Sequence, residues 1–220
     1  MRIVDIPTRP DLGDHMGLPT RENVFKGLYW LSDQITDRDL GIVFLSGHGY
    51  RDPSDPKQQF WFLTQEADLH HLPTTAISGG DLFSELFKLP GKKILMVDAC
   101  HSGAALIAGA KAPPSETRPN MDEFVNDFTT ARSGIVAYAA SKAQELAFEK
   151  EEYDRHGAFA KALIEAFGEG RGADANGRLT TDLLDLYVVE RVKALTGGAQ
   201  HPVWNRPDLV PDFPVAFARH

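Results

Sequence analysis

Three short apolar runs stand out along the chain: Ile42-Val43-Phe44-Leu45, Ile94-Leu95-Met96-Val97 and Ile135-Val136-Ala137-Tyr138-Ala139-Ala140. All three predict strands, and the Ile94–Val97 run, with so little polarity, one covered on both faces. Between and after them the apolar positions switch to helical spacing. Residues 22–35 carry Val24, Leu28, Leu31 and Ile35 behind the N-cap candidate Thr20. Residues 79–89 carry Leu82, Leu86 and Leu89 and are closed by Pro90-Gly91. Residues 121–130 predict an acidic amphipathic helix. Residues 157–167 place Phe159, Leu163 and Phe167 on one stripe, and residues 181–195 form a further helix ended by Gly197-Gly198. Residues 60–63, Phe-Trp-Phe-Leu, predict one arm of a hairpin, residues 213–217 a last strand, and residues 1–6 a weak one. Strands alternating with helices imply an α/β fold with a mostly parallel sheet and helices on both faces.

Two of the strands end in chemistry. The first runs into Ser46-Gly47-His48-Gly49, the second into Asp98-Ala99-Cys100-His101-Ser102-Gly103. Ligands bind at the carboxyl ends of strands in open parallel sheets. If the two strands are neighbours and end level, His48 and Cys100 meet at one sheet edge. An imidazole beside a thiol raises its reactive fraction, the basis of thiol nucleophilic catalysis. Gly49 permits a tight turn after His48, so its N–H is one candidate oxyanion donor and the Cys100 N–H the other. Asp98 lies two residues before Cys100 and so shares its strand face. Its carboxylate either lines the same cleft or braces a neighbouring loop.

The pair of motifs resembles the caspase-like cysteine peptidases, closest to metacaspases, paracaspases and their bacterial relatives. A histidine about 50 residues ahead of the cysteine is a known caspase signature. Animal caspases carry Gln-Ala-Cys-x-Gly where this chain has Asp-Ala-Cys-His-Ser-Gly, which separates it from that branch. The resemblance implies a three-layer α/β/α sandwich, lacking here the usual first strand and helix, whose place a partner chain, a homodimer or a rearranged N-terminus is expected to fill. It implies one peptidase domain over residues 1–220: 18–110 bearing the histidine and cysteine, 111–132 a mobile, cleavable linker, and 133–220 completing the substrate pocket. In the resembling families the aspartate of Asp-x-Cys holds the basic residue before the scissile bond, which gives Asp98 that role here. Ala147-Phe148-Glu149 resembles a paracaspase stretch with a pocket glutamate, so Glu149 is the second pocket acid, with Glu145 as its substitute and Ala147 beside it. Two part-buried carboxylates favour Arg or Lys and reject Asp. Proteolysis by a Cys–His dyad, latent until activated, follows from the resemblance.

The remaining features narrow the choice. A 42% hydrophobic fraction is that of a folded domain, and a net charge of −8 disfavours nucleic acid. A single cysteine excludes an internal disulfide and a multi-cysteine zinc site. No apolar run reaches membrane-spanning length, so a soluble, cytoplasmic protein is expected. Residues 174–177, Asp-Ala-Asn-Gly, lack the spacing and closing glutamate of an EF-hand, so neither a metal nor another cofactor is expected. His15, His70, His71 and His156 are expected at the surface, and His101 in a supporting role at most. The competing functions are a catalytically silent caspase-like scaffold, a thiol hydrolase of small amides and, weakest, a zinc hydrolase.

Overall fold

The computed structural model describes residues 17–57, 59–100, 120–129, 134–141 and 157–217. Expectations for residues 1–6 and for His15, His101, Glu145, Ala147, Glu149 and His156 lie outside the described residues. Among the described residues there are eight strands, β1 (Leu40–Arg51), β2 (Phe60–Leu63), β3 (Ala76–Ser78), β4 (Lys92–Cys100), β5 (Ile135–Ala139), β6 (Arg178–Thr180), β7 (Val203–Asn205) and β8 (Pro214–Phe217). The helices are α1 (Arg21–Gln34), α2 (Leu72–Thr75), α3 (Gly79–Lys88), α4 (Met121–Phe128), α5 (Ala158–Glu169) and α6 (Thr181–Thr196). Six strands form one sheet in the order β3-β2-β1-β4-β5-β7, and β6 and β8 form a small second one. The sheet is mixed. Its β1/β2, β2/β3 and β5/β7 pairs are antiparallel; a short return joins β1 to β2, whereas α5, β6 and α6 lie between β5 and β7.

The chain divides into two compact units, with β1 and β4 each running through both. In the first, α1 starts at Thr20, whose hydroxyl accepts the Asn23 N–H at 3.2 Å, and buries Val24 and Leu28. The hairpin predicted for residues 60–63 is present, in the register His48↔Leu63 through Arg51↔Phe60. Ser78 caps α3 by accepting the Asp81 N–H at 2.9 Å, and α3 buries Leu82 and Leu86.

In the second unit every residue of β5 is buried. Helix α4 packs on it through Met121, Phe124, Val125 and Phe128. Those residues form the amphipathic helix expected over residues 121–130, and their four apolar side chains at helical spacing are buried. Helices α5 and α6 are joined by Glu165, which receives both Arg191 nitrogens at 2.6 and 2.8 Å and the Tyr187 hydroxyl at 2.8 Å. The last strand belongs not to the main sheet but to the β6–β8 pair. No helix among the described residues is long and apolar enough to cross a membrane.

Candidate active site

His48 sits within β1, opposite Leu63 of β2, and is half-buried. The local sequence explains the placement. Gly47 has no side chain, and a Cβ there would lie 2.9 Å from Phe62 Cζ, so only glycine lets the Phe62 ring close over the strand one residue before the histidine. The expected turn at Gly49 is absent. Gly49 pairs with Phe62, and β1 continues to Arg51, because its antiparallel partner keeps the backbone extended. Beyond His48, Tyr50 is buried in a cluster with Leu63, Leu72 and Ala76, and its hydroxyl pKa is raised by burial and by Asp52.

Cys100 is the last residue of β4. Because β1 and β4 are neighbours in the sheet, the topology brings His48 and Cys100 onto adjacent strands, as the motif placement predicts. Asp98, two residues earlier, is only 5% exposed. A carboxylate so buried keeps its charge only with donors or positive potential close by. One source is α5. A Cβ built on Gly157, the residue that opens this helix, would lie 3.0 Å from Asp98 Oδ2. The carboxylate therefore rests at the helix N-terminus, where unpaired N–H groups and the helix dipole favour an anion.

The carboxyl end of β5 is fixed in the same unit. The Ala140 N–H donates to the Val97 carbonyl at 2.9 Å, and the buried Gln200 donates its Nε2–H to the Ala140 carbonyl at 2.8 Å. Next in the chain, Ser141 is buried, and its hydroxyl has no hydrogen-bond partner among the described residues. Neither Gly157 nor Ser141 was singled out by the sequence. The available signal for Gly157 was a glycine directly before a helical stripe, where Ser, Thr, Asp or Asn is the usual cap.

Other expected groups fall away from this region or have other duties. His70 and His71 are exposed, and His71 Nδ1 pairs with Asp68 Oδ2 at 2.9 Å. Asp174 spends its carboxylate on its own turn, accepting the Asn176 and Arg178 N–H groups, each at 2.9 Å, and the Arg178 guanidinium at 3.2 Å. These bonds hold its pKa below the ordinary carboxylate range. Among the described residues no cluster of His, Cys, Asp and Glu could hold a metal ion.

Comparison with known proteins decides the family. The caspase domain of peptidase family C14 matches residues 11–214. The chain belongs to the caspase domain family. Membership carries the three-layer α/β/α arrangement around a six-stranded mixed sheet and cysteine-peptidase-like function in general. No curated protein matches the sequence. Among solved structures, the chain is similar to protein GSU0716 from Geobacter sulfurreducens, with a TM-score of 0.57 and 15% identity over 92% of this chain and 82% of that one. At that identity the likeness concerns the fold alone.

Proposed function

We propose that this caspase-domain protein is a cysteine endopeptidase that cuts after Arg or Lys, using Cys100 as nucleophile and His48 as acid and base, and that it is latent until activated. The observation that carries the specificity is the buried Asp98 carboxylate on the strand that ends in Cys100. In this mechanism the Cys100 thiolate attacks the scissile carbonyl carbon and an S–C bond forms. The Cys100 N–H, at the end of β4, holds the oxyanion. His48 gives a proton to the departing amine as the C–N bond breaks, and a water then hydrolyses the thioester.

The placement of Glu149, Glu145 and Ala147 in the same pocket draws support from the ends of their segment. It leaves β5 after Ala140, which bonds Val97, and re-enters at Gly157, which abuts Asp98. A second carboxylate there favours a guanidinium, which can bond both in forked geometry. Residues 111–132 contain the basic residues Lys111, Arg118 and Arg132, and cleavage there accounts for activation.

The test is a panel of fluorogenic peptides with Arg, Lys, Asp or Ala before the cleaved bond, given to wild type, Cys100→Ala and Asp98→Asn. Turnover of Arg above Lys, abolished by Cys100→Ala and cut at least tenfold by Asp98→Asn, is expected. Asp turnover refutes the acidic pocket. An active preparation whose intact mass shows one uncut chain refutes activation by cleavage.

A further inference from the structure

We propose that Gly157 is a positioning residue for substrate recognition: its missing side chain leaves the space in which the start of α5 seats the Asp98 carboxylate. This rests on the reading that Asp98 receives the basic side chain of the substrate. The backbone at Gly157 has φ −69° and ψ 156°, a conformation open to every L-residue, so no turn requires glycine here. Nor does side-chain capping account for the residue. The N-caps of α1, α3, α4 and α6 are Thr20, Ser78, Asn120 and Thr180, and each accepts a backbone N–H through its side chain. Helix α5 has no such bond.

What glycine alone allows is the approach of Asp98. Around an added Cβ, Oδ2 would lie at 3.0 Å, Cγ at 3.7 Å and Oδ1 at 3.8 Å, so a side chain at position 157 presses on Oδ2, and the carboxylate has to give by a few tenths of an ångström. The glycine thus leaves room for the β4 carboxylate beside the start of α5, where the helix dipole favours an anion two residues from Cys100. The pocket acid is held by α5 as much as by its own strand.

The experiment measures how fast Cys100, the only thiol in the chain, is alkylated by a peptidyl-arginine chloromethyl ketone and by its norleucine counterpart. In both, sulfur displaces chloride, so the ratio of rates reports recognition of the basic side chain apart from thiol reactivity. The full chain is compared with Asp98→Asn, Gly157→Ala and Gly157→Ser, and thermal midpoints are recorded alongside. A lost charge-assisted hydrogen bond corresponds to about a ten- to hundredfold fall in the ratio, and that fall is expected in all three variants. The norleucine rate serves as each variant's own reference for thiol reactivity, and Gly157→Ser, which brings its own cap, melts no lower than wild type. The proposal is overturned if Asp98→Asn loses the ratio while both Gly157 variants keep it. It is also overturned if the Gly157 variants slow both reagents equally and melt lower. A wild type without arginine preference, or an Asp98→Asn variant that retains it, refutes the basic-residue reading itself.

Discussion

Removing the Arg191 guanidinium tests the energetics of the α5–α6 pairing. Glu165 is 7% exposed and accepts three hydrogen bonds, two from Arg191 and one from Tyr187. The Arg191 bonds hold its pKa down at about 2 against an ordinary 4.5, although burial pushes the other way. A fall of that size corresponds to roughly 3 kcal/mol at 1.36 kcal/mol per unit. The Arg191 side chain is itself 37% exposed, so water competes, and about 2 kcal/mol is the better figure. For a domain of this size, about 2 kcal/mol lowers the thermal midpoint by roughly 4–8 °C. Arg191→Ala should therefore show that loss in calorimetry at pH 7. The sign of the pH dependence follows from linkage. The folded pKa is depressed, so the stabilisation is present above about pH 4.5 and disappears as the pH falls towards about 2. Wild type and variant should converge at low pH. A midpoint within 1 °C of wild type at pH 7 (a difference of under about 0.5 kcal/mol), or a gap unchanged between pH 7 and pH 3, would refute this account.

Asp185 behaves in the opposite sense. Burial first, then Asp182, pushes its pKa up to about 7 from 3.8, so it opposes folding increasingly as pH rises from about 4 to 7. Asp185→Asn should raise the thermal midpoint at pH 8 and give no gain at pH 4; an equal gain at both would contradict the assignment. Gly172 has φ +79°, and a Cβ there would lie 2.6 Å from Tyr187 Cβ. Gly172→Ala is therefore expected to cost about 2 kcal/mol or more in a urea titration. Gly47→Ala presses on Phe62 beside His48. Combined with Phe62→Leu, the two changes should be less destabilising together than their sum, by at least about 0.5 kcal/mol; strict additivity would show that the ring is not the obstacle.

The elements that carry most of the fold were legible because each rests on a local signal. Thr20 and the Val24/Leu28 stripe mark α1, Ile94 to Val97 marks a doubly covered strand, and Gly197, with φ 62°, ends α6. Strands β3, β6 and β7 escaped because each is three residues long, too short for an alternation to register. Their existence depends on long-range partners: β7 on β5, with Trp204 stacked on Tyr138 at 5.8 Å between centroids, and β6 on β8. The turn at Gly49 was misread because a glycine after an apolar run signals a strand end, whereas pairing with β2 carries β1 three residues past His48. The sites of His48 and Cys100 on adjacent strands could be read from two motifs. The seating of Asp98 against Gly157 could not, since it joins positions 59 residues apart that no pattern along the chain connects.

The two fixings beside β4 also bear on how this protein can diversify. Ala140 is bonded to Val97, and Gly157 lies against Asp98, so the stretch between them departs from and returns to consecutive residues of one strand. A stretch tethered in this way can change length with little effect on the fold, because each doubling of a loop costs only about 0.6 kcal/mol in closure entropy. Changes of length within residues 142–156 are therefore expected to leave the sheet, with His48 on β1 and Cys100 on β4, unchanged.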